Sequence, residues 1–158
     1  MREFLQMIRF HRKVVLPLAV CTLLGCRPYI DPSLRPYVGS QKDVKLFLSK
    51  PVEKQIEIYL KVAELPGHPA DYSWGAVIAT SNGDIGRTLE SHLTNERDRD
   101  RVSDLILLSG KYCALNEKCR GEDFLDVAAR AAAQPLPANY RDLVKLSLDW
   151  IAQGVARN

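Results

Sequence analysis

The chain has 158 residues, 46% hydrophobic and 26% charged, with 22 Lys and Arg against 19 Asp and Glu and a formal net charge of +3. The excess is local: residues 1–25 hold Arg2, Arg9, Arg12 and Lys13 against Glu3 alone, so residues 26–158 carry eighteen charges of each sign. A neutral body of mixed sign lacks the clustered basic face that nucleic acid requires, and its length suits one domain with a real core.

The basic head is followed by an apolar run from Val14 to Leu24, broken only by Pro17 and Thr22. Eleven helical residues reach about 16 Å against a hydrocarbon core of about 30 Å, which fits a cleavable signal better than a spanning helix. The run ends in Leu23-Leu24-Gly25-Cys26. Over residues 1–26 the chain resembles bacterial lipoprotein signals, which present a leucine, then a small residue, then an obligatory cysteine. Leu23, Gly25 and Cys26 match those positions; Leu24 is bulkier than the usual Ala or Ser.

The resemblance implies cleavage before Cys26, a diacylglyceryl thioether on its sulfur and an acyl group on its new amino terminus. Each buried methylene contributes about 0.8 kcal/mol and one chain anchors only marginally, so three would hold the protein almost permanently. It also implies the cell envelope. Arg27 stands where, in enteric-type sorting, an aspartate would retain the protein at the inner membrane, so the outer membrane is favoured if the source is Gram-negative. The alternative is an ordinary signal peptide, or an uncleaved anchor, with a coincidental cysteine.

Cys21 leaves with the signal and Cys26 takes lipid, so Cys113 and Cys119 remain. Two cysteines close in sequence, facing an oxidising space, are most simply a disulfide. Unbroken helix would separate their Cα atoms by about 9 Å, beyond the roughly 7 Å reach of a bridge, so the chain must turn between them. Asn116 and Gly121 are turn signals nearby. A metal or redox pair is the alternative, but the spacing is C-x5-C and no cysteine or histidine cluster accompanies it.

Residues 26–42 contain Pro28, Pro32 and Pro36, which remove donors and restrict the residues before them. They read as a tether, although Tyr29, Ile30, Leu34, Tyr37 and Val38 are apolar enough for part of it to dock on the domain. From residue 43 to 158 the pattern is helical. Val52, Ile56, Tyr59, Leu60 and Ala63 share one face, behind Pro51 and ahead of the stop at Pro66-Gly67. Shorter helices follow over residues 70–80 and 84–95, split at Ser81-Asn82-Gly83, with Trp74, Val77 and Ile78 inward from one and Ile85, Leu89 and Leu93 from the other.

Val102, Leu105, Ile106, Ser109, Tyr112 and Cys113 form the next face, widened by Leu107 and Leu108. An alanine-rich helix over residues 122–133 turns Phe124, Val127, Ala128 and Ala131 inward before Pro135 and Pro137. The last helix, residues 138–153, has Tyr140, Leu143, Val144, Ser147 and Ile151 in register. No segment reads as a strand hairpin. The fold class is all-α: about six helices, chain neighbours antiparallel, in a compact bundle or a short helical-hairpin stack. The layout resembles HEAT-type solenoids, without a repeated motif in the letters.

Gly67-His68-Pro69-Ala70-Asp71-Tyr72 places a histidine near an aspartate, an acid–base pair that His92 would join as a metal ligand. Against it, His68 suits a helix end, Asp71 a helix start and His92 the edge of an apolar stripe, and no H-E-x-x-H spacing occurs. There is no G-x-S-x-G elbow, no S-x-x-K motif and no phosphate loop; Gly83, Gly86, Gly110 and Gly121 read as turns or close packing. Glu122-Asp123 complements a helix dipole. The mixed-sign run Glu96–Asp104 is read as a solvated turn with local pairs rather than an ionic docking strip. Trp74 and Trp150 are read as core.

The expectation is therefore a lipid-anchored, non-enzymatic helical envelope protein, without cofactor or metal, that binds a protein partner as an accessory subunit or an immunity-type inhibitor. The alternatives are an envelope hydrolase built on His68 and Asp71, with His92 as a third member, and a carrier of a small apolar ligand between helices.

Overall fold

Three of the helices start at an aspartate whose side chain accepts from their unpaired backbone. Asp43 Oδ1 accepts from Leu46 N at 2.8 Å and opens α1 (Val44–Leu48). Pro51 precedes α2 (Val52–Ala63), and α3 spans Tyr72–Ala79. Asp84 accepts from Arg87 N at 3.0 Å at the start of α4 (Ile85–Asn95). Asp98 accepts from the Asp100 and Arg101 amides to open α5 (Arg99–Leu115). Glu122 and Asp123 lie in the first turn of α6 (Glu122–Ala132), where negative charge suits the dipole. A 3-10 turn, Ala138–Tyr140, leads into α7 (Arg141–Val155). The turn at Ser81-Asn82-Gly83 is made by Gly83 at φ +130°, a conformation that side-chain-bearing residues rarely adopt.

The computed structural model describes residues 29–39, 42–65, 72–116, 119 and 121–157. The signal, Cys26, His68 and Asp71 lie outside them. Among the described residues there are seven α-helices and no strand, so the protein is all-α as its periodicity predicts. None of these helices is long and apolar enough to cross a membrane.

Helices pack on the next but one, α1 on α3, α2 on α4, α3 on α5, α4 on α6 and, most extensively, α5 on α7, and within the neighbouring pairs α2–α3, α4–α5, α5–α6 and α6–α7. The arrangement is a compact stack of hairpins, α2 with α3, α4 with α5 and α6 with α7. Direction can be read from pairs along the α5–α7 contact. Asp104 meets Tyr140, Gly110 meets Ser147 and Cys113 meets Gly154, so these two helices run the same way, as alternate members of an up-down series must.

The centre of the stack is α5. Every residue from Val102 to Gly110 is buried, so no side of the helix in that stretch faces water. This explains why Leu107 and Leu108 widen its apolar stripe: a helix surrounded by others needs apolar groups all round. At its crossing with α7 the backbones nearly touch. A Cβ on Gly110 would lie 2.6 Å from Ser147 Cβ and 2.7 Å from Ser147 Cα. The alanine-rich face of α6 is buried too, at Ala128 and Ala131, but the closest approach is made by glycine.

The compact unit begins at Asp31, upstream of the residue-43 boundary that the prolines suggest. Leu34 and Tyr37 are buried, at 7% and 5% exposure. The Trp74 indole Nε1 donates to Tyr37 O at 2.9 Å, and Tyr37, Phe47 and Trp74 meet edge-on or tilted with centroids 4.2 to 6.3 Å apart. Lys42 Nζ lies 5.6 Å above the Trp74 ring. Trp74 is thus the core residue expected, and it fastens the segment that the prolines marked as tether.

Candidate functional site

The segment that Trp74 fastens forms one wall of a cleft of about 360 Å³ whose other wall is α2 and the turn just before it. Leu34 and Tyr37 line it from the first side, and Lys50, Lys54, Glu57 and Lys61 from the second. Lys54 Nζ reaches Glu57 Oε2 at 2.5 Å, one helical turn away. That hydrogen bond is the main reason the Glu57 carboxyl titrates below its usual range. Gln55 is buried beside the cleft, donating from Nε2 to Lys50 O at 2.8 Å and accepting at Oε1 from Ser81 Oγ at 2.5 Å, so the position of Lys50 is fixed through α2.

Far along the chain, α7 carries apolar groups on two sides. Val144, Ser147, Ile151 and Gly154 are buried against the stack. Leu143 and Leu146 are 39% and 44% exposed, and Trp150 is half-buried beside them. Spacings of three and four place these three on one stripe. Two expectations are corrected here: Leu143 lies outside the core face, and Trp150 is not a core residue. The physical reason is angular. Leu143 and Trp150 sit one step round the helix from Ser147 and Gly154, and the turn of the stack leaves that step uncovered.

Cys113 and Cys119 lie with Cα atoms 4.9 Å apart, at disulfide distance, with Cys113 on the last turn of α5 and Cys119 in the following loop. The helix ends between them at Asn116, whose side chain donates to Ala79 O and Tyr112 O. Both cysteines are buried beneath Gly154, and a Cβ there would lie 2.8 Å from Cys119 Cβ. Arg157 closes over them, donating from Nη2 to Cys113 O at 2.8 Å. The pair therefore joins the end of α5 to the loop that follows it, and the end of α7 packs over both through Gly154 and Arg157.

Of the three residues considered for acid–base or metal chemistry, His92 alone lies among the described ones. It sits on α4, its Nε2 2.9 Å from Glu53 Oε1 on α2, a contact that is an ion pair only when the imidazole is protonated. Among the described residues no group of three or more His, Cys, Asp and Glu is placed to hold a metal ion. The charged run behaves largely as a solvated turn: Glu96 Oε1 accepts from the Arg97 and Asp98 amides. Arg101 is the exception, pairing across the fold with Glu64 at the end of α2, a contact that raises its already high pKa.

Sequence reasoning missed Asp104. It is 3% exposed, its Oδ1 has no hydrogen-bond partner, and its pKa is raised to about 6, first by burial, against the opposing hydrogen bond from the Tyr140 side chain. The carboxylates of Asp100, Glu64 and Asp98 add to the rise. A second, smaller cleft between α4 and α6 is lined by Leu93, Arg97, Val127 and Arg130. Comparison with protein-family models, curated proteins and solved structures found no match to the chain.

Proposed function

We propose that the protein is a lipid-anchored, non-enzymatic component of the bacterial envelope that binds another protein through the outer face of α7. The observation that carries the binding role is the stripe of Leu143, Leu146 and Trp150, left uncovered on the flank of a helix whose neighbouring face is packed against the stack. Exposed apolar groups gathered on one helix face mark interaction surfaces, and tryptophan is among the residues enriched at the anchoring positions of interfaces. Asp142 and Asp149 are also exposed on α7 and supply a polar rim. The anchor follows from Leu23-Leu24-Gly25-Cys26, and the compartment agrees with a cysteine pair at bonding distance. An accessory subunit of an envelope assembly and an immunity-type inhibitor both fit this reading.

The test is site-specific photocrosslinking in cells. A photoreactive residue at Leu146 is expected to trap one envelope protein, and the same residue at exposed Arg87 on α4 to trap none. Leu146→Glu is expected to weaken the complex at least tenfold while changing stability by less than about 0.5 kcal/mol, as surface substitutions do. Equal adducts from both positions, or none from Leu146, would contradict the reading.

A further inference from the structure

We propose that the face of the domain around Lys50, Lys54 and Lys61 lies against the membrane and binds the phosphates of anionic phospholipid headgroups. The inference rests on the lipid-anchor reading and adds what the anchored domain does with the surface it is held against.

The first argument is the length of free chain. Because Leu34 and Tyr37 are buried and Trp74 holds Tyr37 O, the domain begins at Asp31. Only Arg27, Pro28, Tyr29 and Ile30 separate it from Cys26. Fully extended, that stretch spans at most about 18 Å, against a domain about 35 Å across. A leash shorter than the body it holds cannot let every face visit the bilayer; it presents the faces nearest its point of attachment.

The second argument is what lies near that point. The basic cleft is lined by Ser33 and Leu34, two and three residues past Asp31. The Asp31 carboxyl is held low chiefly by the Ser33 backbone N–H and, more weakly, by Lys61, which places that lysine's charge close to the attachment point. Lys54 is shared with Glu57, whereas Lys50 and Lys61 make no ion pair among the described residues. Phosphate oxygens would supply charged acceptors to these ammonium groups, and each lysine brought to an anionic surface strengthens binding roughly fivefold.

The third argument is the distribution of charge. Residues 27–61 hold seven Lys and Arg against four Asp and Glu, whereas residues 62–158 hold eleven against fourteen. The neutral body is thus a dipole with its positive end at the leash. Tyr29, 81% exposed and three residues from the acylated position, has the amphipathic ring favoured at headgroup depth.

The test uses the full chain purified from membranes and reconstituted in vesicles. The mass of its N-terminal peptide reports acylation of Cys26, independently of the lysine labelling. Amine-reactive labelling is then compared on phosphatidylcholine vesicles containing phosphatidylglycerol and on phosphatidylcholine alone. The expected result is that Lys50, Lys54 and Lys61 label about tenfold more slowly on the anionic vesicles, while Lys145 on α7 changes less than about twofold. The Lys50→Glu, Lys54→Glu, Lys61→Glu variant, altering only half-buried or exposed positions, is expected to keep its helicity and to show no difference in the labelling of Lys42 and Lys45 between the two vesicles. An acylated protein whose three lysines label alike on both vesicles, or whose lysines are all slowed equally, overturns the proposal and leaves the anchor standing. If Cys26 carries no lipid the anchor reading fails, and the lysine face is judged by sedimentation of the Cys26→Ser chain with the same vesicles: salt-sensitive binding to the anionic ones upholds it, and no binding overturns it.

Discussion

Asp104 lies on the side of α5 that meets the start of α7, where the Tyr140 side chain hydrogen-bonds it and water scarcely reaches it. Its folded pKa of about 6 exceeds the ordinary 3.8, so between those values the native state holds a proton that the unfolded chain has lost. Stability from this group therefore falls as pH rises from about 4 to about 6 and stays at its lower level above that. Asp104→Asn keeps an acceptor for Tyr140 and removes the charge. Thermal melts are expected to show the variant a few degrees more stable at neutral pH, without the decline over pH 4 to 6. A variant less stable than the parent at neutral pH would show that the carboxylate is satisfied in a way its surroundings do not suggest. Nothing in the letters singled out this aspartate. It closes a run of alternating charges whose other members are exposed or half-exposed, and only the tertiary contact with α7 separates it from them.

At the scale of helices, periodicity located most of the fold and composition located most of the breaks. The stripe Ile85-Leu89-Leu93 is buried throughout, and those of Val52-Ile56-Tyr59-Leu60-Ala63 and Phe124-Val127-Ala128-Ala131 are buried except at Ala63 and Val127, which are half-buried. Three features were not legible. The short α1 is separated from α2 only by Ser49, Lys50 and Pro51. Part of the tether docks as its apolar residues suggest, but the Tyr37 carbonyl that receives the Trp74 indole carries no sequence signature. The stripe on α7 shares its flank with core positions, so apolarity alone could not assign it.

Glycine shows the same limit. Gly75 on α3 and Gly110 on α5 are both buried helical glycines, yet their surroundings differ. A Cβ on Gly75 would meet Leu108 Cδ1 at 3.4 Å, ordinary contact, whereas on Gly110 it would meet the backbone and side chain of Ser147 below 3 Å. Gly75→Ala is expected to be neutral or stabilising by up to about 1 kcal/mol through helix propensity. Gly110→Ala must push α5 and α7 apart and is expected to cost about 1–3 kcal/mol, several degrees in the melting midpoint. Equal effects of the two substitutions in chemical denaturation would mean that the helix crossing is softer than its geometry.

Taken as a whole, the molecule is a stack of hairpins with two ends of different character. One end carries the docked segment from Asp31 and the basic cleft; the last helix carries an uncovered apolar stripe and packs through Gly154 on the cysteine pair at the end of α5. That polarity suits a body fixed to a membrane through its start and offering its last helix to a partner. The all-α class was legible because helical spacing is local, whereas the proposed address rests on a linear signal alone. The uncovered stripe on α7 was not legible, since exposure is a property of the packed stack. The central claim is the lipid on Cys26, and its most direct test is fatty-acid labelling of the chain in bacteria. Label is expected on the parent, on a chain beginning at Cys26, and is expected to vanish in Cys26→Ser. An unlabelled chain that still begins at Met1 would contradict the account.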